Sequence, residues 1–281
     1  MNVPFQPDSS PGAPGEIALE SLPKPYSGSR VLALEGGQNF RDLGGYLTSD
    51  GRSVKWGKIF RSGHMALLTT ADIDYLSKLQ IRTICDLRAT RERRSEPTQW
   101  HQVANISYWA RDYDGGFGEL RQLLGSGHPT PEDARAAMIA GYRRLPFEQA
   151  AAYRELFARL AVGEVPLVVN CSAGKDRAGT AAALILSALR VPMETIVEDY
   201  LLTERVLDIR RLFPPQAQER RSKLANHSSE VAAAVLKADA NYLYAAFEAI
   251  KDRHGTITTY LCDELGVTEN MLGNIRQHLL D

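Results

Sequence analysis

Val168-Val169-Asn170-Cys171-Ser172-Ala173-Gly174-Lys175-Asp176-Arg177-Ala178-Gly179-Thr180 leaves an apolar run, passes through small residues and ends in an Ala- and Leu-rich segment. The pattern predicts a buried strand over Val165 to Asn170, a short loop, and a helix from about Arg177 to Leu189. Successive N–H groups in such a loop converge on one point, and the free amides of the helix add partial positive charge there. The product is an anion cradle made of Ser172, Ala173, Gly174, Lys175, Asp176 and Arg177, with the sulfur of Cys171 at its base. Amides, helix end, Lys175 and Arg177 all favour the nucleophilic thiolate at that position. Arg177 stands six residues after Cys171, and its planar fork can grip two oxygens of one phosphoryl group.

This unit sits in a chain of 281 residues, 44% hydrophobic and 24% charged, the balance of an ordinary soluble globular protein. Lys and Arg number 33 against 34 Asp and Glu, so no bulk positive field draws the chain to nucleic acid or an anionic membrane. The longest apolar stretches, such as Ala181 to Leu186, fall far short of the ~20 residues that cross a bilayer. No transmembrane segment is expected. Met1 to Pro14 lacks a basic segment followed by an apolar core, so the expected location is cytoplasmic, or exported without a cleavable signal peptide. Cys85, Cys171 and Cys262 are too widely spaced, and odd in number, for a disulfide framework.

Residues 1–29 hold six of the fourteen prolines with little apolar periodicity and read as a flexible Pro/Ser/Gly-rich tail; residues 30–281 read as one domain. Glycines from Gly36 to Gly51 punctuate short extended pieces that lead to Ile59-Phe60, and a helix capped at Thr70 runs to about Leu79. Ile81 to Leu87 and Ile106 to Trp109 are β-prone, and helical spacing occupies Pro131 to Arg144 and Phe147 to Val162. Beyond Arg177 the spacing is helical throughout: Met193 to Leu212, Val231 to Leu236, Ala240 to His254, Ile257 to Leu265 and Thr268 to Leu280. Strands alternating with helices, followed by helices alone, predict an α/β fold: a central, mostly parallel sheet with helices on both faces and a helical C-terminal half.

Cys171 to Arg177 resembles the C-x5-R phosphate loop of the protein tyrosine phosphatase superfamily. Cys-Ser-Ala-Gly-Lys-Asp-Arg is more narrowly similar to that of bacterial atypical phosphatases, which act on phosphotyrosine and often on phosphoinositides or phosphoserine/threonine. The resemblance extends over about 250 residues through Asn39-Phe40-Arg41-Asp42-Leu43-Gly44-Gly45, Phe60-Arg61-Ser62, Asp86-Leu87-Arg88 with Glu92-Arg93, and the closing Tyr260-Leu261 to Leu280. It implies a phosphatase-like fold, hydrolysis of phosphate monoesters on phosphorylated protein or phosphoinositide through a thiophosphoryl-cysteine, and no cofactor or metal; the oligomeric state is left open, with a monomer expected. The family places His before the cysteine and Ser or Thr after the arginine, where this chain has Asn170 and Ala178. Asn170 can still donate a hydrogen bond to the loop, and slower turnover is expected. A phosphate-binding module without turnover is the rival reading.

Two aspartates compete for the role of proton donor. Asp112 follows a strand and precedes Gly115-Gly116, where the superfamily places its mobile acid; Asp176 lies inside the loop, and relatives with Gly-Lys-Asp-Arg have been read as using it. Asp114 ranks behind both. The histidines show no metal-ligand spacing, Arg41 and Asp42 read as buttresses of the loop, and Arg88, Arg91, Arg93 and Arg94 read as a solvated helix start. Lys175 is expected to add a second cation to the cradle, and Cys85 is a candidate redox partner for Cys171.

Overall fold

In the computed structural model of the protein, residues 29–116, 118–208 and 226–281 are described; the expected tail lies outside them except for Ser29, as does 209–212 of the helix expected over Met193 to Leu212. The strands are β1 (Arg41–Asp42), β2 (Ile59–Ser62), β3 (Thr83–Asp86), β4 (Ser107–Ala110) and β5 (Leu167–Asn170). They form one sheet in the order β1-β2-β5-β3-β4, parallel except for β1 at the edge, so β5 sits at the centre.

Alternation along the strands sorts their side chains into two cores. Ile59, Cys85, Leu167 and Val169 face one side, against α5 (Pro131–Glu148), α6 (Ala150–Ala161), α7 (Arg177–Ala188) and α8 (Met193–Leu201). Phe60, Ile84 and Val168 face the other, against α1 (Thr70–Ser77) and Trp100 of α3 (Trp100–Ala104). Helices cover both faces, so β5 has no solvent side and reads as the unbroken apolar run that a central parallel strand requires. The C-terminal half is helical as expected, over Ser229–Leu236, Ala240–His254, Ile257–Asp263 and Glu269–Leu279. Among the described residues no helix is long and apolar enough to cross a membrane.

Several boundaries differ from the sequence reading. The first helix is capped one residue earlier, by Thr69, whose hydroxyl accepts the Asp72 amide at 3.2 Å while Asp72 reaches back to the Thr69 amide. Pro146 does not end α5, since it forfeits a single donor and lies buried within the helix. The helix expected over Met193 to Leu212 breaks at Leu202, and α9 (Thr203–Val206) stops at Leu207, whose backbone is extended. A helix over Gly118–Ser126, α4, has no strong apolar signal because two of its positions are glycine.

Candidate active site

At the end of β5 the chain turns through Cys171, which is buried and donates its amide to the Ser62 carbonyl of β2 at 3.4 Å. The next three carbonyls are all held from outside. Ser172 O accepts the His64 amide at 2.9 Å, Ala173 O accepts Asn39 Nδ2 at 2.9 Å, and Gly174 O accepts Arg61 Nη2 at 2.5 Å. Across a trans peptide the N–H of the following residue points the opposite way, so the amides of Ala173, Gly174 and Lys175 are turned to the inner side. None of the three has a hydrogen-bond partner among the described residues. Gly174 makes the curl possible: its φ is +69°, and a Cβ there would lie 2.7 Å from the Ser62–Gly63 backbone. Gly179 serves the same geometry from α7, since a Cβ would meet Arg61 Nη2 at 2.7 Å.

Arg177 opens α7 and turns toward α2 (Thr90–Ser95). Its Nη1 donates to Glu92 Oε2 at 2.5 Å and its Nη2 to Glu92 Oε1 at 2.9 Å, a bidentate pair. Nη1 also reaches the Tyr113 hydroxyl at 3.0 Å and Leu87 O at 3.3 Å, while Ser172 Oγ donates to Glu92 Oε1 at 2.5 Å. Among the described residues every side-chain bond of Arg177 leaves from Nη1 or Nη2, and the Nε edge is unused. Burial on its own would raise the Glu92 carboxyl, but Arg177, the Ser172 hydroxyl and the Ala89 amide outweigh it and hold the group well below the usual carboxylate range. The sequence reading placed Glu92 in a motif without a role. Its partner stands 85 positions away, and no local spacing connects the two.

Behind the loop lies a buried ionic cluster. Asp199 of α8 accepts Arg41 Nε at 3.1 Å, Arg61 Nη1 at 2.8 Å and the Tyr46 hydroxyl at 3.0 Å. Arg41 also binds Asn39 Oδ1, and Asp42 accepts the Gly44 and Gly57 amides at 2.7 Å each. Asn39 and Arg61 are the residues that hold Ala173 and Gly174, so the cluster carries the loop's shape into the core. Burial raises the Asp199 carboxyl, yet Arg41 and Arg61 pull it down to about 2. Replacement by Asn leaves two buried guanidinium groups short of a counter-charge, and Asp199→Asn is expected to cost about 3–5 kcal/mol in urea unfolding. With the folded value below the ordinary ~3.9, the contribution is present above pH ~4 and disappears as pH falls through about 2. Unchanged stability in the variant would show the cluster to be dispensable.

The two candidate acids lie in different settings. Asp112 is 84% exposed and turned to the Arg93 guanidinium at 2.5 Å and Thr90 Oγ1 at 3.0 Å, and Arg93 and Thr90 hold its carboxyl below the ordinary range. Asp176 is half-buried in the loop; its Oδ1 accepts the Tyr142 hydroxyl at 2.7 Å and stands 3.3 Å from Lys175 Nζ. Lys175 points away from the cradle: Nζ donates to Val235 O at 2.6 Å and Lys237 O at 3.2 Å, at the end of the helix Ser229–Leu236, so it joins that helix to the loop and adds no second grip on a ligand. Among the described residues the buried Asn170 side chain finds no hydrogen-bond partner and does not brace the loop as expected; Ala178 is buried in α7, and Thr180 Oγ1 has no partner among those residues. Arg88 is not solvated but fully buried, paired with Asp86 at 2.7 Å.

Cys85 stands in register with Val169, two residues before Cys171 on the neighbouring strand. A rise of ~3.3 Å per residue and ~4.8 Å between strands put the two α-carbons about 8 Å apart. That is beyond the ~7 Å reach of a disulfide. Burial also pushes the Cys85 thiol up to about 12, and the candidate redox pair has no support in this geometry.

A family model described as "Tyrosine phosphatase family" matches residues 32–281. A Cupriavidus necator protein provisionally named a tyrosine-protein phosphatase is 33% identical over 266 residues, covering 90% of this chain and 89% of its own. The triple specificity protein phosphatase PtpB of Mycobacterium tuberculosis is 28% identical over 279 residues, covering 89% of this chain and 99% of its own. A tyrosine-protein phosphatase of Nostoc commune is 27% identical over 149 residues, about half of each chain.

Proposed function

The chain belongs to the tyrosine phosphatase family and is a phosphatase of that type, and from this premise we propose that it hydrolyses phosphotyrosine through a thiophosphoryl intermediate on Cys171. The observation that carries the reading is the row of three outward-held carbonyls at Ser172, Ala173 and Gly174, which turns three free amides around the space above one buried sulfur. Preorganised donors of this kind stabilise the equatorial oxygens of a phosphoryl group in flight and need no rearrangement at the moment of reaction.

In the first step Cys171 Sγ attacks phosphorus, the S–P bond forms, and the P–O bond to the leaving group breaks. Asp176 gives its proton to the departing oxygen. Two features support Asp176 over Asp112: it lies in the loop itself with Oδ2 unpartnered among the described residues, whereas Asp112 is 84% exposed and its carboxylate is turned to Arg93 and Thr90. In the second step water attacks phosphorus, returns a proton to Asp176, and Sγ leaves as thiolate. Arg177 holds the phosphoryl oxygens from its Nε edge and the loop amides hold them from below.

The name triple specificity on the mycobacterial relative supports a range wider than phosphotyrosine, within which we place phosphoserine/threonine and phosphoinositides. The second cation expected from Lys175 does not support that range, since Nζ is bound to backbone carbonyls. Rapid acid quench of the wild-type protein with radiolabelled aryl phosphate tests the mechanism. Label is expected on the peptide that carries Cys171. Turnover with no covalent phosphoprotein at any quench time would mean direct attack by water.

A further inference from the structure

Asp176 is anchored from behind by two phenols. Its Oδ1 accepts the Tyr142 hydroxyl at 2.7 Å, and that hydroxyl lies 2.7 Å from the hydroxyl of Tyr200. Both rings are buried, Tyr142 in α5 and Tyr200 in α8, at 0% and 1% exposure. Because the one hydrogen of Tyr142 is committed to Asp176, Tyr200 must donate in the second contact, which makes a one-way chain from Tyr200 to Tyr142 to Asp176. Asp176 Oδ2 has no partner among the described residues.

We propose that Tyr142 is a positioning residue for proton transfer: its hydroxyl occupies Oδ1, with Lys175 Nζ 3.3 Å from the same atom, and leaves Oδ2 as the oxygen that carries the proton and delivers it to the leaving group. The inference rests on the reading of Asp176 as the proton donor. A carboxyl group bears one proton, and a hydrogen already directed at Oδ1 disfavours a second one there. The hydroxyl contact fits both forms of the acid, since the carbonyl oxygen of the protonated form and the carboxylate oxygen of the ionised form both accept it. As the proton leaves Oδ2 the contact becomes charge-assisted, so it strengthens as the transition state is approached and acts on kcat. Burial, with Asp176 and Tyr200 adding to it, drives the ionisation of Tyr142 far above its ordinary range, and the phenol stays a neutral donor wherever the enzyme works. Ring packing alone does not require the hydroxyl. Tyr142 contacts the Tyr200 and Tyr242 rings edge-on and tilted, and phenylalanine would serve there equally.

The test compares Tyr142→Phe and Tyr200→Phe on phosphotyrosine, a poor leaving group, and on a dinitrophenyl phosphate, whose leaving group departs unaided. Tyr142→Phe is expected to lower kcat on phosphotyrosine roughly 10- to 100-fold, with KM unchanged, and to leave the first-turnover release of dinitrophenolate, which precedes the thiophosphate hydrolysis common to both esters, within about twofold. Tyr200→Phe should show the same pattern more weakly, and because it keeps Tyr142 in place it reads the chain even if Tyr142→Phe fails to fold. On an Asp176→Asn background Tyr142→Phe should add nothing. Equal losses on both esters, or a further loss on that background, would overturn the proposal. An Asp176→Asn variant that falls equally on both esters would instead remove Asp176 as the acid, and the positioning role with it, while leaving Cys171 untouched.

Discussion

Cys171→Ser is expected to lose roughly 10,000- to 1,000,000-fold in kcat on any aryl phosphate while still binding inorganic phosphate close to the wild-type affinity. The two halves of the expectation have separate structural sources. Turnover needs an ionised nucleophile that forms and then leaves as a thiolate; a serine hydroxyl at the same depth is neither ionised nor a comparable leaving group. Binding needs the free amides of Ala173, Gly174 and Lys175 and the guanidinium of Arg177, none of which the substitution touches. Their orientation is imposed by Asn39, Arg61 and the His64 amide, on the far side of the loop from the sulfur. Phosphate release assays and phosphate inhibition or calorimetry read the two halves independently. A serine variant with substantial turnover would move the nucleophile elsewhere. A wild type as inactive as the variant, with phosphate bound equally, would favour a binding module, for which the Asn170 amide, without a partner among the described residues, and the missing hydroxyl at Ala178 are the supporting features.

The cradle was legible in the sequence because its parts are contiguous. Strand, small-residue loop and helix occupy thirteen consecutive positions, and local physics assigns each of them: an apolar run for β5, Gly174 for the left-handed turn, an Ala-rich start for α7. What the sequence did not reveal is whatever positions the cradle from a distance. Glu92 reaches Arg177 across 85 positions, Asp199 meets Arg41 across 158, and Tyr142 meets Asp176 across 34. A lone Glu in a charged helix start, or a Tyr among helical apolar positions, looks the same whether it packs, dissolves or pairs. Arg88 shows the converse error. It sits in a run of arginines that reads as solvated, yet it is buried because Asp86 two residues earlier, with Thr98 and the Glu96 carbonyl, satisfies its fork. Lys175 misled in the same way, since charge says where a side chain is welcome but not which acceptors compete for it. Two carbonyls at a helix end took it away from the ligand side.

Arg177→Lys is expected to lower kcat/KM by about 1,000-fold, at the upper end of what one lost oxyanion donor costs, and Glu92→Gln to act on the same group through orientation alone. The guanidinium works here as a two-sided plate. Its Nη edge is clamped by both Glu92 oxygens, at 2.5 and 2.9 Å, and this fixes the plane in which the Nε edge meets a phosphoryl group. An ammonium has no second edge, so a lysine at 177 satisfies Glu92 or the substrate but not both. Lys175 cannot substitute, being bound to Val235 O and Lys237 O. Glu92→Gln keeps the shape of the clamp but replaces one acceptor by a donor that faces Arg177, so the plate loses its fixed plane while the site loses a negative charge. Those effects oppose each other in binding and not in catalysis: kcat should fall about 10- to 100-fold, whereas affinity for inorganic phosphate should hold or rise. Acid does not mimic the substitution. Because Glu92 is held below the ordinary carboxylate range, its ion pair with Arg177 is present above the unfolded value of ~4.3 and is lost only as pH falls through the lower folded value. Any acidic limb of the rate profile above the unfolded value of ~4.3 therefore belongs to other groups and should be unmoved in Glu92→Gln. Steady-state kinetics with phosphate as inhibitor, run across pH, separate these terms. A Gln variant that loses phosphate affinity in step with kcat would show Glu92 to be part of the cradle's fold and not the clamp on its arginine.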